Sequence, residues 1–174
     1  PRPSKKEEKI IAYLKAFGVK HNLETNVDEA GNVLIKKPAT PGKENLQTVI
    51  LQSHIDMVCE KNNDVQHDFL TDPIETEIDG EWLKAKGTTL GADNGIGVAT
   101  ELAILADDSI EHGPLECLFT VDEETGLTGA FELKEGFMSG DILLNLDSED
   151  EGEIFIGCAG GIDSVAEFSY KEVE

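Results

Sequence analysis

Acidic side chains and one histidine follow the predicted strands of this chain, at the points where those strands end. They are His54 and Asp56 after the first buried strand, Asp93 at the start of a predicted helix, Glu123 and Glu124 after the next buried strand, and Asp147 after the third. Ligands of open α/β sheets gather beyond the carboxyl ends of the strands, so we expect these side chains to share one cleft. Carboxylates crowded in a cleft stay ionised only when a cation lies among them. An imidazole with several carboxylates suits zinc, manganese or cobalt, whereas calcium prefers oxygen ligands alone.

The spacing within two of these segments is consistent with metal chemistry. His54 and Asp56 lie on the same side of an extended segment, so the carboxylate of Asp56 can orient the imidazole of His54. Glu123 and Glu124 are adjacent, and in the turn that ends a strand both can reach one cavity. One of the two can bind a metal while the other holds a water molecule as a general base. A non-catalytic acidic metal-binding or interaction module is the alternative, because an acid-rich chain places some carboxylates at strand ends by chance.

The overall charge limits the partners of the chain. Of its 174 residues, 36 are Asp or Glu and 14 are Lys or Arg, which gives a formal net charge of −22. This balance argues against nucleic acid and against anionic membranes, which attract basic surfaces. No apolar run approaches the roughly 20 residues of a membrane-spanning helix. Three cysteines without a C-x-x-C pair argue against a disulfide framework, so we expect a cytoplasmic protein.

Strands that alternate with helices predict an α/β fold, in which α/β/α layers enclose a mostly parallel sheet. Ser4–Glu7 has the pattern of a capping box, and apolar residues at helical spacing predict a first helix from about Lys5 to between Gly18 and Asn22. Asp79-Gly80 predicts the turn of a hairpin over 74–86. We predict buried strands over 48–51, 115–121 and 142–146, further strands over 33–35 and 154–156, and helices over 94–106 and 127–133.

Four ordered motifs resemble those of the two-metal aminoacylase/carnosinase-type metallopeptidases. The motifs are Gln52–Val58, Gly91–Gly95, Asp122–Gly126 and Asn145–Glu149. The resemblance extends over essentially the whole chain and is closest to the branch of the family that acts on Xaa-His dipeptides. It implies a zinc exopeptidase-like catalytic domain.

The resemblance also implies a role for each residue singled out above. His54 and Asp147 would hold one metal ion, Glu124 would hold the other, Asp93 would bridge the two, Asp56 would orient His54, and Glu123 would be the general base. Two divalent ions are implied, zinc foremost, with manganese or cobalt as alternatives. The peptide bond that follows the bridging aspartate is commonly cis in this family, so we expect a cis bond between Asp93 and Asn94.

The implied reaction is metal-dependent hydrolysis of the peptide bond of a small dipeptide, Xaa-His in particular. A related amidohydrolase, such as an N-acyl amino acid deacylase, would use the same metals and the same chemistry. In this family a second histidine ligand follows an inserted lid domain that also serves dimerisation. We therefore expect residues 1–174 to be the amino-terminal part of the catalytic domain, inactive alone, and the full-length protein to be a homodimer through the lid.

Overall fold

The computed structural model of the chain describes residues 1–148, 150, 152–158, 160–162 and 164–171. Three helices and seven strands form in these residues. In chain order they are α1 (Glu8–His21), β1 (Glu24–Val27), β2 (Val33–Lys37), β3 (Val49–His54), β4 (Thr76–Asp79), β5 (Trp82–Ala85), α2 (Ala92–Ala106), β6 (Leu115–Thr120), α3 (Thr128–Phe131) and β7 (Ile142–Asn145).

Five strands form the central sheet in the order β1-β2-β6-β3-β7. Strand β3 lies between β6 and β7 and runs parallel to both, whereas β2 is antiparallel to β6 and to β1. The predicted α/β class is thus confirmed, and the three strands that precede the predicted site residues form the parallel part of the sheet. Strands β4 and β5 form a separate antiparallel hairpin around the predicted turn.

Both faces of the sheet are packed, which explains why β2 and β6 are buried along nearly their whole length. On one face, a buried cluster joins the sheet to α1 and α2 and includes Leu14, Leu105 and Phe119. On the other face, Leu34 and Leu118 pack with the chain that follows α3, including Phe137. Successive residues of a strand point to opposite faces, so neighbours such as Leu118 and Phe119 serve different clusters.

The connections between the parallel strands place three strand ends side by side. The chain passes from β3 through α2 to β6 on one face, and from β6 through α3 to β7 on the other. The first connection moves one way along the sheet and the second moves back the other way, and crossovers of the same hand that run in opposite directions lie on opposite faces. A crevice forms beyond the carboxyl ends of strands at such a reversal. The segments that follow β3, β6 and β7 all begin there.

The capping box predicted for the first helix is wrong. Helix α1 begins at Glu8, and no side chain caps its first turn. The hydroxyl of Ser4 instead donates a hydrogen bond to a carboxylate oxygen of Asp56, at 2.7 Å. A hydrogen bond to a charged carboxylate is stronger than one from a hydroxyl to a backbone amide, which explains why the local pattern misleads. The end of the helix is as predicted, because Asn22 adopts a left-handed conformation there.

Two strand predictions near the carboxyl end also need correction. Strand β7 forms, but Ile142, Leu143 and Leu144 are each about two-fifths to one-half exposed, because β7 pairs on one side only within the described residues. The stretch 154–156 is not a strand, and Ile154 and Ile156 are almost fully exposed. An apolar run becomes a strand only when a neighbour satisfies its backbone, and the described residues provide none for this segment. No helix in the described part of the chain is long and apolar enough to cross a bilayer.

A carboxyl group is buried between α2 and the centre of the sheet. The Glu101 side chain is fully buried beside Ser53 of β3 and Cys117 of β6. Neither of its oxygens has a hydrogen-bond partner of good geometry within the described residues. Burial raises the pKa of Glu101 to about 9, although the neighbouring hydroxyl and thiol partly oppose the shift. The group is therefore neutral at pH 7.

This burial predicts a pH-dependent stability. Between about pH 5 and pH 9 the folded chain keeps the Glu101 proton and the unfolded chain loses it, so the free energy of unfolding falls as pH rises. One proton corresponds to about 1.4 kcal/mol per pH unit. We expect Glu101→Gln to reduce the slope by this amount and to be more stable than the unsubstituted chain at pH 8, as measured by urea unfolding across this range. The exposed residue Glu81 supplies the control, Glu81→Gln. Equal slopes for Glu101→Gln and the unsubstituted chain would contradict the assignment.

Candidate metal centre

His54 ends strand β3 and lies at the centre of the carboxylates. Its imidazole is almost fully buried, with Nδ1 3.2 Å from Asp56 Oδ1 and Nε2 2.8 Å from Asp93 Oδ1. Ionised carboxylates only accept hydrogen bonds, so both ring nitrogens carry protons in this arrangement. Burial lowers the pKa of His54, but hydrogen bonds to Asp147, Asp56 and Asp93 outweigh it and raise the pKa to about 11. The pocket around Nε2 therefore favours a positive charge.

Asp56 holds three parts of the site together. Its fully buried carboxylate accepts four hydrogen bonds, from the His54 ring, from the hydroxyl of Ser4 and from the backbone amides of Glu123 and Glu124. Burial raises its pKa, but these hydrogen bonds lower it further, to about 2. Asp56 is therefore ionised at neutral pH, and its hydrogen bonds fix the orientation of both the imidazole and the turn after β6.

Asp93 and Asn94 begin α2 next to Nε2 of His54. The peptide bond between them is cis, as predicted. The Asp93 side chain is about half exposed, whereas Asn94 is buried. The Asn94 amide donates to Asp147 Oδ1 at 3.0 Å, and its oxygen accepts from the backbone N–H of Gly97 at 3.0 Å. Asn94 therefore connects the start of α2 with the carboxylate that follows β7.

The remaining predicted residues face the same space. Asp147 Oδ1 is 3.6 Å from His54 Nε2, and Glu123 Oε2 is 4.0 Å from it. Ligand atoms of His54, Asp93 and Glu124 all lie within 4.8 Å of one another. The structure thus brings together all six residues singled out in the sequence. Glu149, which ends the fourth motif, lies outside the described residues.

Burial, together with the crowding of carboxylates, raises the pKa values of the two glutamates. Burial is the main cause for each, and the charge of Asp147 raises the pKa of Glu123 further, as that of Asp93 does for Glu124. The nearby imidazolium of His54 opposes both shifts. One imidazole nitrogen with several carboxylate oxygens matches the donor set of zinc, manganese or cobalt, and a divalent cation there would relieve the repulsion. The residues present therefore fit a metal centre.

Four further residues support the site, and sequence reasoning assigned none of them this role. Ser4, Glu7, Arg2 and Asn94 hold its loops through hydrogen bonds. Glu7 Oε1 accepts from the backbone N–H of Asp122 at 3.0 Å, and the carboxylates of Glu7, Asp56 and Asp122 lie within 4.8 Å of one another. Asn94 lies within one of the four motifs, whereas the pattern of Ser4 and Glu7 predicted a capping box.

A cavity of about 210 Å³ opens beside Glu123 and Asp147. Gln52, Thr120 and Asn145 line its polar end, and the rest is mostly apolar. The apolar side chains are Leu118, Val121, Leu127, Ala130, Leu133, Met138 and Leu143. Space for a small ligand with an apolar group therefore adjoins the carboxylates.

The four hydrogen bonds of Asp56 predict that its charge stabilises the fold. Asp56→Asn keeps the size of the side chain, but its amide N–H groups face backbone donors and the His54 ring. We expect the free energy of unfolding to fall by about 2 kcal/mol or more, measured by urea unfolding. Asp108→Asn is the control, because that side chain is 98% exposed, and its effect should stay within about 0.5 kcal/mol. Equal effects of the two substitutions would show that Asp56 does not have this role.

Comparison with known proteins places these residues in a peptidase family. Residues 50–168 match the sequence profile described as Peptidase family M20/M25/M40. The chain is 56% identical over 163 residues to a protein of Escherichia coli (strain K12) named cytosol non-specific dipeptidase, covering 94% of this chain and 34% of that protein.

Solved structures agree with this match. The crystal structure of aminoacylhistidine dipeptidase from Vibrio alginolyticus superimposes with a TM-score of 0.88 at 58% identity, over 91% of this chain and 32% of that one. An aminopeptidase from Bacillus cereus matches with a TM-score of 0.72 at 26% identity, over 86% of this chain and 40% of that one. The chain spans about a third of the length of the first two relatives. The resemblance drawn from the four motifs is confirmed, and the chain belongs to peptidase family M20/M25/M40.

Proposed function

We propose that the protein containing this chain is a metal-dependent dipeptidase that hydrolyses the peptide bond of small dipeptides, Xaa-His among them. The convergence of one imidazole and several carboxylates beyond the ends of β3, β6 and β7 carries this proposal. The names of two relatives, a non-specific dipeptidase and an aminoacylhistidine dipeptidase, support the substrate class.

The proposed centre holds two divalent ions, zinc foremost. His54 and Asp147 would bind one ion, Glu124 would bind the other, and Asp93 would contact both. The short distances from His54 Nε2 to Asp93 and Asp147 support a shared centre. When bound, such ions polarise a substrate carbonyl and lower the pKa of water, and manganese or cobalt could do the same.

Glu123 is the proposed general base. It takes a proton from the attacking water, whose oxygen bonds to the carbonyl carbon of the substrate. As the C–N bond breaks, Glu123 delivers that proton to the leaving amine. Three observations support this role: its side chain is partly exposed to the cleft, its pKa is raised, and its backbone amide is held by Asp56. Asp56 moves no proton in this scheme; it keeps the His54 ring oriented.

The remaining parts of the proposal concern the protein as a whole. A cytoplasmic location is supported by the word cytosol in the name of the Escherichia coli relative and by three cysteines that form no disulfide in the described residues. Homodimerisation through a lid domain stays a prediction, as does the assignment of residues 1–174 to the amino-terminal part of a catalytic domain.

The function is tested with the whole protein, dipeptides and metal removal. We expect hydrolysis of Xaa-His and other dipeptides, complete loss of activity after dialysis against a chelator, and recovery with zinc, manganese or cobalt. N-acyl amino acids tested under the same conditions are the control for the alternative chemistry. Turnover of N-acyl amino acids without turnover of dipeptides would show that the protein is an amidohydrolase and not a dipeptidase. Activity that survives chelation would refute the metal centre.

The roles of the adjacent glutamates are tested by two matched substitutions. Glu123→Gln keeps size and hydrogen bonding but cannot accept a proton, so kcat should fall by about 10²–10⁴-fold while metal content stays unchanged. Glu124→Gln should lower the occupancy of one metal ion first and lose activity as a consequence. Metal content is measured by elemental analysis of both variants. Loss of metal from Glu123→Gln alone would require the two roles to be exchanged.

A further inference from the structure

We propose that Arg2 is a positioning residue for Asp93, and that it acts by holding the turn at which α2 begins. This inference rests on the proposed function, because it concerns the carboxylate assigned to both metal ions. Arg2 is remote from Asp93 in sequence and does not line the cleft. Its guanidinium contacts the turn at Gly91, two residues before Asp93.

The guanidinium binds the turn directly. Arg2 Nη2 donates to the carbonyl oxygen of Gly91 at 2.6 Å, and Nη1 contacts Met57 Sδ at 3.7 Å. Gly91 precedes Asp93 by two residues, and its carbonyl also accepts the N–H of Gly95 at 3.1 Å. The carbonyl is therefore held by two donors at the start of α2. A shift of this carbonyl would move the backbone that carries Asp93.

The turn is fitted to the guanidinium. A Cβ atom at Gly91 would lie 2.7 Å from Met57 Sδ and 3.0 Å from Arg2 Nη1, and one at Gly95 would lie 2.9 Å from Arg2 Nη2. Gly91 also has a φ of 75°, in the left-handed region that glycine adopts without strain. The two glycines thus let the backbone lie directly on the side chain of Arg2, which an ordinary surface arginine does not require.

The backbone of Arg2 is itself fixed next to the histidine strand. Its carbonyl oxygen accepts the N–H of Met57 at 3.1 Å, and Pro3 pairs with Met57 as a short parallel bridge. The next residue, Ser4, donates to Asp56. Arg2 therefore connects the segment after β3 with the start of α2. These are the two segments whose separation sets the distance between His54 and Asp93.

Because Arg2 is positively charged, the direction in which its substitution changes metal affinity tests the inference. A guanidinium close to Asp56 and Asp93 repels a cation, so simple electrostatics predicts tighter metal binding when its charge is removed. Positioning predicts the opposite, because an Asp93 that is no longer held in place is a poorer ligand. Substitution of residues that orient metal ligands typically weakens metal binding by about 10–100-fold.

The test measures zinc binding to the whole protein after removal of its metals, by competition with a chromophoric chelator. We expect Arg2→Met to bind zinc at least about tenfold more weakly than the unsubstituted protein. Arg2→Lys should also be weaker, since an ammonium group keeps the charge but lacks the planar fork. Lys9→Met is the matched control, because Lys9 also donates to a backbone carbonyl, that of Leu70, in an exposed position. Its zinc binding should not change.

The outcomes separate this inference from the proposed function. Zinc binding by Arg2→Met that is unchanged or tighter overturns the inference, whereas absence of zinc binding by the unsubstituted protein overturns the proposed function as well. If Arg2→Met fails to fold, as judged by thermal unfolding, zinc binding is measured instead with two other variants. These are Arg2→Lys, and Arg2→Ala in the presence of added guanidinium. If added guanidinium restores tight zinc binding to Arg2→Ala, the positioning role is supported. If it does not, and Arg2→Lys binds zinc as tightly as the unsubstituted protein, the positioning role is contradicted.

Discussion

The structure of the site depends on one buried charge, the carboxylate of Asp56. A buried carboxylate is unfavourable unless hydrogen bonds replace the water that it loses. Four hydrogen bonds to Asp56 offset this cost. Their donors belong to the histidine at the end of β3, the turn after β6 and the segment before α1. None of these three segments is close to the others in sequence. The need to solvate a single charge therefore brings them together.

The remaining carboxylates follow a different rule, because they face the cleft and not the interior. Burial and mutual repulsion raise the pKa values of Glu123 and Glu124, and the imidazole of His54 holds an extra proton among its acidic neighbours. Such an arrangement stabilises a positive charge in the cleft, and without one the glutamates ionise less readily. Glu101 adds a further unfavourable group, buried between α2 and the sheet beside Ser53 and Cys117. The site therefore combines two charges that the fold stabilises, those of His54 and Asp56, with three carboxyl groups whose ionisation it disfavours, those of Glu101, Glu123 and Glu124.

The sheet gives these charges their common location. Three parallel strands lie next to one another, and the connections that link them leave on opposite faces, so the crevice at their carboxyl ends stays open. Helix α2 starts at this crevice with the cis bond between Asp93 and Asn94, and Asn94 binds Asp147 across it. Arg2 in turn donates a hydrogen bond to the turn that begins α2. Residues on both sides of the crevice thus set its width.

Much of this could be predicted from local sequence patterns. Apolar runs of a few residues predicted β3 and β6, the helical spacing of apolar residues predicted the body and the end of α1, and Asp79-Gly80 predicted the hairpin. The candidate ligands were predictable because a polar residue directly after an apolar strand lies at the carboxyl end of that strand, where ligands of α/β sheets bind. Each of these signals depends on residues that are neighbours in the chain, and local spacing alone is enough to detect them.

Only the tertiary structure decided which distant groups meet. Ser4 has the same local pattern whether it caps a helix or binds Asp56, and the choice depends on a partner 52 positions away. The exposure of β7 and the absence of a strand at 154–156 likewise depend on which neighbours the sheet provides, not on the apolar residues themselves. The chain by itself determined its elements and the carboxylates at their ends. Its tertiary structure decided how those carboxylates are held, because hydrogen-bond partners are chosen in space and not along the sequence.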